Sequence, residues 1–109
     1  MRALVFDEIR PQDMERLSEH LAKHTTASGL PAVFWLELPP KLLSAEQAAH
    51  AECAPHRVAL VLEDDSLKLE LLVRGTGLHC SCTAYADVTQ RQWLLDYADR
   101  LLAELEIKT

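Results

Sequence analysis

Cysteine, glycine and proline are scarce in this chain, with three, three and five copies among 109 residues. An odd number of cysteines predicts no disulfide framework, so we expect free thiols and a reducing, cytoplasmic location. No linker-like or low-complexity stretch divides the sequence. We therefore predict a single domain over residues 1–109, a length that can bury one core without cross-links.

Positive charge and long apolar runs are also missing. The formal net charge of −6 would repel a phosphate backbone, so we predict no nucleic-acid partner and no anionic membrane surface. No window approaches the roughly 18 apolar residues of a membrane span. The opening MRALVF lacks the longer apolar region of a secretory signal, which agrees with a cytoplasmic location.

Apolar periodicity in the first half of the chain predicts two strands and two helices. Residues 2–9 alternate as a first strand, and Pro11 suits the first position of a helix because its missing N–H costs nothing there. PAVFWLEL is apolar on both faces, which is typical of a covered strand. Ser44 and Gln47 form a capping-box pattern that opens a short helix through Cys53.

The second half predicts three strands and a last helix. RVALVLE, SLKLELLV and LHCSCTAYA read as strands, with EDDS and RGTG as the two turns between them. Thr89 and Gln92 form a second capping-box pattern before an apolar helical stripe. The order β-α-β-α-β-β-β-α predicts an α+β two-layer sandwich. We expect a mixed or antiparallel five-strand sheet, with a C-terminal three-strand meander and helices mainly on one face.

Two segments, HAECAPH and LHCSC, contain all three cysteines and three of the five histidines. His50 and Cys53 are three apart on the predicted helix, and Cys80 and Cys82 point to one face of the predicted strand. If helix and strand are neighbours, these four residues provide a Cys₃His set for a structural zinc ion. His56 is a spare ligand just beyond the helix.

The spacing of these residues also fits a core interpretation, which we favour at this point. Cys80 and Cys82 would lie about 6.6 Å apart along a strand, and no turn brings them together. Leu78, Cys80, Cys82 and Ala84 would form an alternating apolar face, and free cysteine is among the most buried residue types. Thiol catalysis is disfavoured because Cys53 is placed near a helix C-terminus, where the helix dipole opposes a thiolate.

Other polar patterns have ordinary structural interpretations. His20 and His24, four apart on the first helix, fit the boundary of its apolar stripe better than a metal site. The acidic run at 63–65 fits a solvated turn better than a Mg²⁺ site. No catalytic motif is present, so an enzyme would have to draw on scattered groups such as His79 and Tyr85.

The sequence thus predicts a non-catalytic binding or interaction domain with no cofactor. Because AVFWL and VALVL are apolar on both sides, we expect a homodimer that covers the second sheet face. A structural zinc-binding protein through the Cys₃His set, or a small enzyme without a recognisable motif, are the alternatives. The sequence names no ligand, partner or pathway.

Overall fold

The computed structural model describes residues 1–77 and 79–109. Its elements follow the chain as strands β1 to β7 and helices α1 to α3. The strands are β1 Ala3–Phe6, β2 Thr26–Ala27, β3 Val33–Glu37, β4 Arg57–Glu63, β5 Ser66–Glu70, β6 Leu72–Val73 and β7 Ala84–Tyr85. The helices are α1 Pro11–His24, α2 Ala45–Ala49 and α3 Val88–Glu104, with short 3₁₀ turns at Pro40–Leu42 and Ala51–Cys53.

The predicted α+β class and five-strand sheet are confirmed. The sheet has the order β1-β5-β4-β3-β2, and every neighbouring pair is antiparallel. β4 and β5 form a tight hairpin, whereas the connection from β3 to β4 contains α2 and both 3₁₀ turns. β1 pairs with β5, which lies far along the chain. A separate two-strand ribbon joins β6 to β7.

One face of the sheet packs against α1 and α3. Leu60, Leu67 and Leu69 of the sheet are fully buried, and they belong to one apolar cluster with Leu17 of α1 and Leu94 of α3. Fully burying one such leucine contributes about 1.5–3 kcal/mol. This cluster is the main core of the protein, and it is built without any cysteine.

The opposite face of the sheet, here called the outer face, is mixed. Val33, Trp35 and Val61 lie on it half-buried, while Val5 is 53% exposed. Lys68 stands in register between Val5 and Val61. Among the described residues, none of these apolar side chains packs against the main core. No described helix is both long and apolar enough to cross a membrane.

The structure corrects three element predictions in the second half of the chain. The helix predicted through Cys53 ends at Ala49 and continues as a 3₁₀ turn, because His50 leaves helical geometry. The strand predicted over 78–86 is formed only at Ala84–Tyr85, and Leu78 lies outside the described residues. RGTG is not a simple hairpin turn between long strands: Arg74 bridges to Arg57, and the described residues 75–77 and 79–83 form a loop that leads to β7.

Two capping boxes begin the later helices, one of them displaced from its predicted position. Ser44 and Gln47 cap α2 reciprocally, as predicted. The cap of α3 is Asp87 with Gln90, two residues before the predicted pair Thr89 and Gln92. Asp87 satisfies the same side-chain pattern as Thr89, so the two start positions could not be separated by pattern alone.

Candidate metal centre

The loop between β6 and β7, described at 74–77 and 79–83, folds back onto the 3₁₀ turn Ala51–Cys53. The Thr76 N–H donates to the Cys53 carbonyl at 2.7 Å, and the Thr76 hydroxyl donates to the Ala54 carbonyl at 3.5 Å. Arg74 and Arg57 exchange two backbone hydrogen bonds at 2.9 Å, which fixes the start of the loop to β4. The segment after α2 and the loop before β7 are therefore held side by side.

Gly75 and Gly77 permit this close approach. A Cβ at position 75 would lie 2.8 Å from both the Cβ and the carbonyl oxygen of Cys53. A Cβ at position 77 would lie 3.0 Å from the Cys53 sulfur. Both distances are shorter than ordinary van der Waals contact. Position 75 needs glycine because of space, since the backbone of Cys53 cannot move aside, whereas at position 77 the Cys53 sulfur would have to shift.

The side chains of all four predicted ligands meet in this region. Ligand atoms of His50, Cys80 and Cys82 lie within 4.8 Å of one another. The Cys53 sulfur lies 3.4 Å from the Cys80 sulfur. Two thiolates on one tetrahedral zinc ion are about 3.8 Å apart, since each Zn–S bond is about 2.3 Å. The Cys53–Cys80 distance is therefore close to that of two thiolates on one ion, while Cys53 is not part of the set of three ligand atoms that lie within 4.8 Å of one another.

Local backbone geometry explains why Cys80 and Cys82 converge. The pair was expected on an extended strand, where the two sulfurs would stand too far apart. Instead His79 has a positive φ of 58°, and the Thr83 N–H donates to the Cys80 carbonyl at 3.1 Å. The resulting turn brings the two side chains together, so the spacing objection raised from the sequence does not hold.

The ring of His50 is oriented as in a metal ligand. Its Nδ1 lies 2.8 Å from the Glu46 carbonyl oxygen. A carbonyl can only accept, so Nδ1 carries the proton and the neutral ring has its lone pair on Nε2. A backbone carbonyl on the other ring nitrogen is the usual support of a metal-bound histidine. The same hydrogen bond raises the pKa of His50.

The three thiols differ in how readily they ionise. The Cys82 N–H donates to the Cys80 sulfur, and this hydrogen bond is the main reason that the pKa of Cys80 is lowered. A hydrogen bond to Cys80 raises the pKa of Cys53, and burial raises the pKa of Cys82 to about 12. Cys80 is thus the first thiol to ionise, and a divalent cation beside it would lower the pKa of the other two.

A buried amide pair supports the cluster from the helix side. Gln47 donates to the Cys82 carbonyl at 3.4 Å, and Gln90 donates to the Gln47 side-chain oxygen at 2.9 Å. Both glutamines are at least 98% buried. The caps of α2 and α3 are therefore connected to the loop that carries Cys82.

The core interpretation of the cysteines is only partly right. Cys53 and Cys82 are buried, as it requires, but Cys80 is half-exposed and Ala84 is exposed. The expected apolar strand face is therefore wrong at Cys80 and Ala84, and Leu78 lies outside the described residues. Neither buried thiol belongs to the main apolar core.

The remaining candidates do not join this cluster. His56 is 2% exposed, and neither of its ring nitrogens has a hydrogen-bond partner among the described residues. His20 and His24 stack with ring centroids 4.3 Å apart, beside a cavity of about 300 Å³ next to α3. Across the described part of the chain, only His50, Cys80 and Cys82 form a compact set of three potential ligands.

The acidic turn and the two enzyme candidates, His79 and Tyr85, are not part of the thiol cluster either. Glu63 pairs with Lys68 at 2.9 Å across the β4–β5 hairpin. Residues 63–65 are exposed at the tip of this hairpin, which agrees with the predicted solvated turn. His79 is exposed on the loop, and Tyr85 is stacked under the Arg2 guanidinium at 4.3 Å. Gly75 and Gly77 were not predicted to shape this site, although two glycines shortly before C-x-C are a signal of close backbone approach.

No protein-family model, curated protein or solved structure matches this chain.

Proposed function

We propose that this protein is a small zinc-binding domain, in which His50, Cys53, Cys80 and Cys82 hold one structural ion. The convergence of these four side chains from two distant segments carries the proposal. Thiolate and imidazole are ligands that zinc prefers, and three sulfurs disfavour Mg²⁺ or Ca²⁺. Two of the ligands are buried, which suits a closed site.

A structural role fits this ligand set better than a catalytic role. Four protein ligands complete a tetrahedral zinc site, so no coordination position remains for water or substrate. The ion would connect the segment after α2 to the loop before β7. The zinc-supported unit would then serve as a binding or interaction domain, and self-association through the outer face stays a prediction.

The test is the metal content of untagged protein purified without chelator. We expect about one zinc per chain by elemental analysis, and a native mass that includes the ion. Cys80→Ser should lose the metal, because it removes the thiol that ionises first and touches Cys53.

A neighbouring substitution provides the control. His79 is adjacent to Cys80 but lies outside the cluster, and asparagine tolerates its positive φ. His79→Asn should therefore retain zinc. Wild-type protein with three free thiols, no metal, and no uptake of added zinc would refute the proposal.

A further inference from the structure

A second feature lies beside the metal centre on the outer face of the sheet. It is an open-sided cavity of about 670 Å³, within the size range of small-molecule sites. The side chains that matter for its chemistry are Trp35, Arg57, Arg74, Thr76 and Thr83. Cys80 also borders it, but none of the other three proposed metal ligands does.

Arg57 enters this cavity as a cation without a counter-charge. Its Cζ lies 4.3 Å from the centroid of the Trp35 ring, so the guanidinium stacks on the indole. No described carboxylate forms an ion pair with it, although Glu37 is its partner in the strand register. Its Nε is shielded from solvent and has no hydrogen-bond partner in the described part of the chain. A shielded donor without a partner destabilises the folded protein, because it has lost its hydrogen bonds to water. A bound acceptor would remove this cost in free energy.

Arg74 places a second guanidinium in the same cavity. It pairs directly with Arg57 across two backbone hydrogen bonds, so two like charges face the same space. Like charges opposite each other destabilise a sheet. The only described carboxylate that meets either group is Glu70, which contacts Arg74 at a long 3.4 Å.

We infer that this cavity binds the oxyanion of a small molecule, a phosphate or a carboxylate, between Arg57 and Arg74. Arginine presents parallel N–H donors that match either group, and the Trp35 ring holds the Arg57 fork in one plane. The hydroxyls of Thr76 and Thr83 border the same space and can donate to further oxygens. This site is distinct from the zinc proposal, since neither arginine is a metal ligand.

The two sources of oxyanion are separated by titration. Inorganic phosphate and acetate are each added to the protein as purified, with ionic strength held constant by chloride. NMR signals of the Arg57 Nε–H and the Trp35 indole N–H report binding. We expect a saturable shift of both signals with at least one anion, with a Kd below about 1 mM. Saturation by phosphate alone identifies a phosphate site, and saturation by acetate alone a carboxylate site.

Variants test whether the arginines are responsible. Arg57→Gln and Arg74→Gln should each weaken binding about tenfold or more, because each removes a charged donor. Arg100→Gln should bind as wild type, since Arg100 borders a different cavity beside α3. If Arg57→Gln proves unstable, Arg74→Gln alone decides. Shifts that stay linear with both anions, or unchanged binding by the folded arginine variants, would overturn the inference. The zinc content is measured separately, so either proposal can fail alone.

Discussion

At the scale of single residues, the space around Gly75 determines whether the thiol cluster can close. A methyl group there meets the backbone oxygen of Cys53, which cannot rotate away as a flexible side chain would. The loop must then move away from the 3₁₀ turn, and the hydrogen bond from Thr76 to Cys53 is lost. Cys53 would then be separated from Cys80, and the proposed fourth ligand would be lost.

Gly75→Ala should therefore abolish stoichiometric zinc binding, and it should lower the free energy of unfolding by about 1–3 kcal/mol because of overpacking. Gly29→Ala is the matched control, since Gly29 has φ +90° but open space around its Cα. That change should cost about 1 kcal/mol of backbone strain and leave zinc content unchanged. Elemental analysis and urea unfolding measure both effects. Equal zinc content in the two variants would contradict the expectation.

Part of the candidate site could be predicted from residue types. Residue types alone were sufficient to name His50, Cys53, Cys80 and Cys82 as candidate ligands, because few residue types bind zinc, although core packing was the favoured interpretation. Their convergence was not predictable, since it depends on the turn at His79 and on the two glycines that admit the loop. The arginine pair was not predicted either, because Arg57 and Arg74 meet only through a long-range bridge.

At the scale of elements, the starts of α2 and α3 are joined through their capping glutamines. Gln90 accepts from the Asp87 N–H and donates to both the Leu42 carbonyl and the Gln47 side chain. It is 1% exposed, so water cannot replace these partners. Each capping box thus orients the other helix in addition to its own.

Gln90→Ala should destabilise the protein by about 2–4 kcal/mol, because it removes a cap and leaves buried acceptors without donors. Gln92→Ala provides the comparison on the same helix. Gln92 is exposed and bonds only Asp96 among the described side chains, so its loss should change stability by less than about 0.5 kcal/mol. Urea denaturation followed by far-UV circular dichroism gives both values. A similar cost for the two variants would show that the buried amide pair contributes little.

Periodicity predicted the elements that bury a continuous apolar face. The first four long strands and both long helices were found near their expected positions because each covers the main core. The predicted strand over 78–86 failed because two cysteines spaced by two imitate apolar alternation, while the loop serves the thiol cluster. Local patterns carry no information on such long-range contacts.

At the scale of the whole molecule, the protein has two separate clusters of contacting side chains, here called its two centres. The larger is the apolar core between the inner sheet face and the helices, and the smaller is the thiol cluster, which shares no residue with it. A bound ion would add its binding free energy to the smaller centre. The larger centre should remain folded when the ion is removed, unlike in a zinc finger.

Chelation of the zinc-loaded protein should therefore lower the melting temperature while leaving the helical circular dichroism at 25 °C largely intact. The free energy of unfolding should fall by a few kcal/mol, since free zinc at 100 times its Kd stabilises the folded state by about 2.7 kcal/mol. Cys80→Ser should melt at one temperature with or without chelator. An unchanged melting temperature of the wild type would argue that no metal supports the fold. Complete loss of helical signal would show that the apolar core depends on the ion.

The two halves of the proposed ligand set are separated in the chain by β4, β5 and β6, and this has a consequence for biosynthesis. The ribosome delivers the N-terminal part first, so β3, β4 and β5 can pair before Cys80 and Cys82 emerge. His50 and Cys53 lie just before the start of β4, so they would already be in place when the second pair emerges. Metal binding would therefore be a late step in the folding of this chain. The ion would fix the loop before β7 to a sheet that has already formed, and it would not nucleate that sheet.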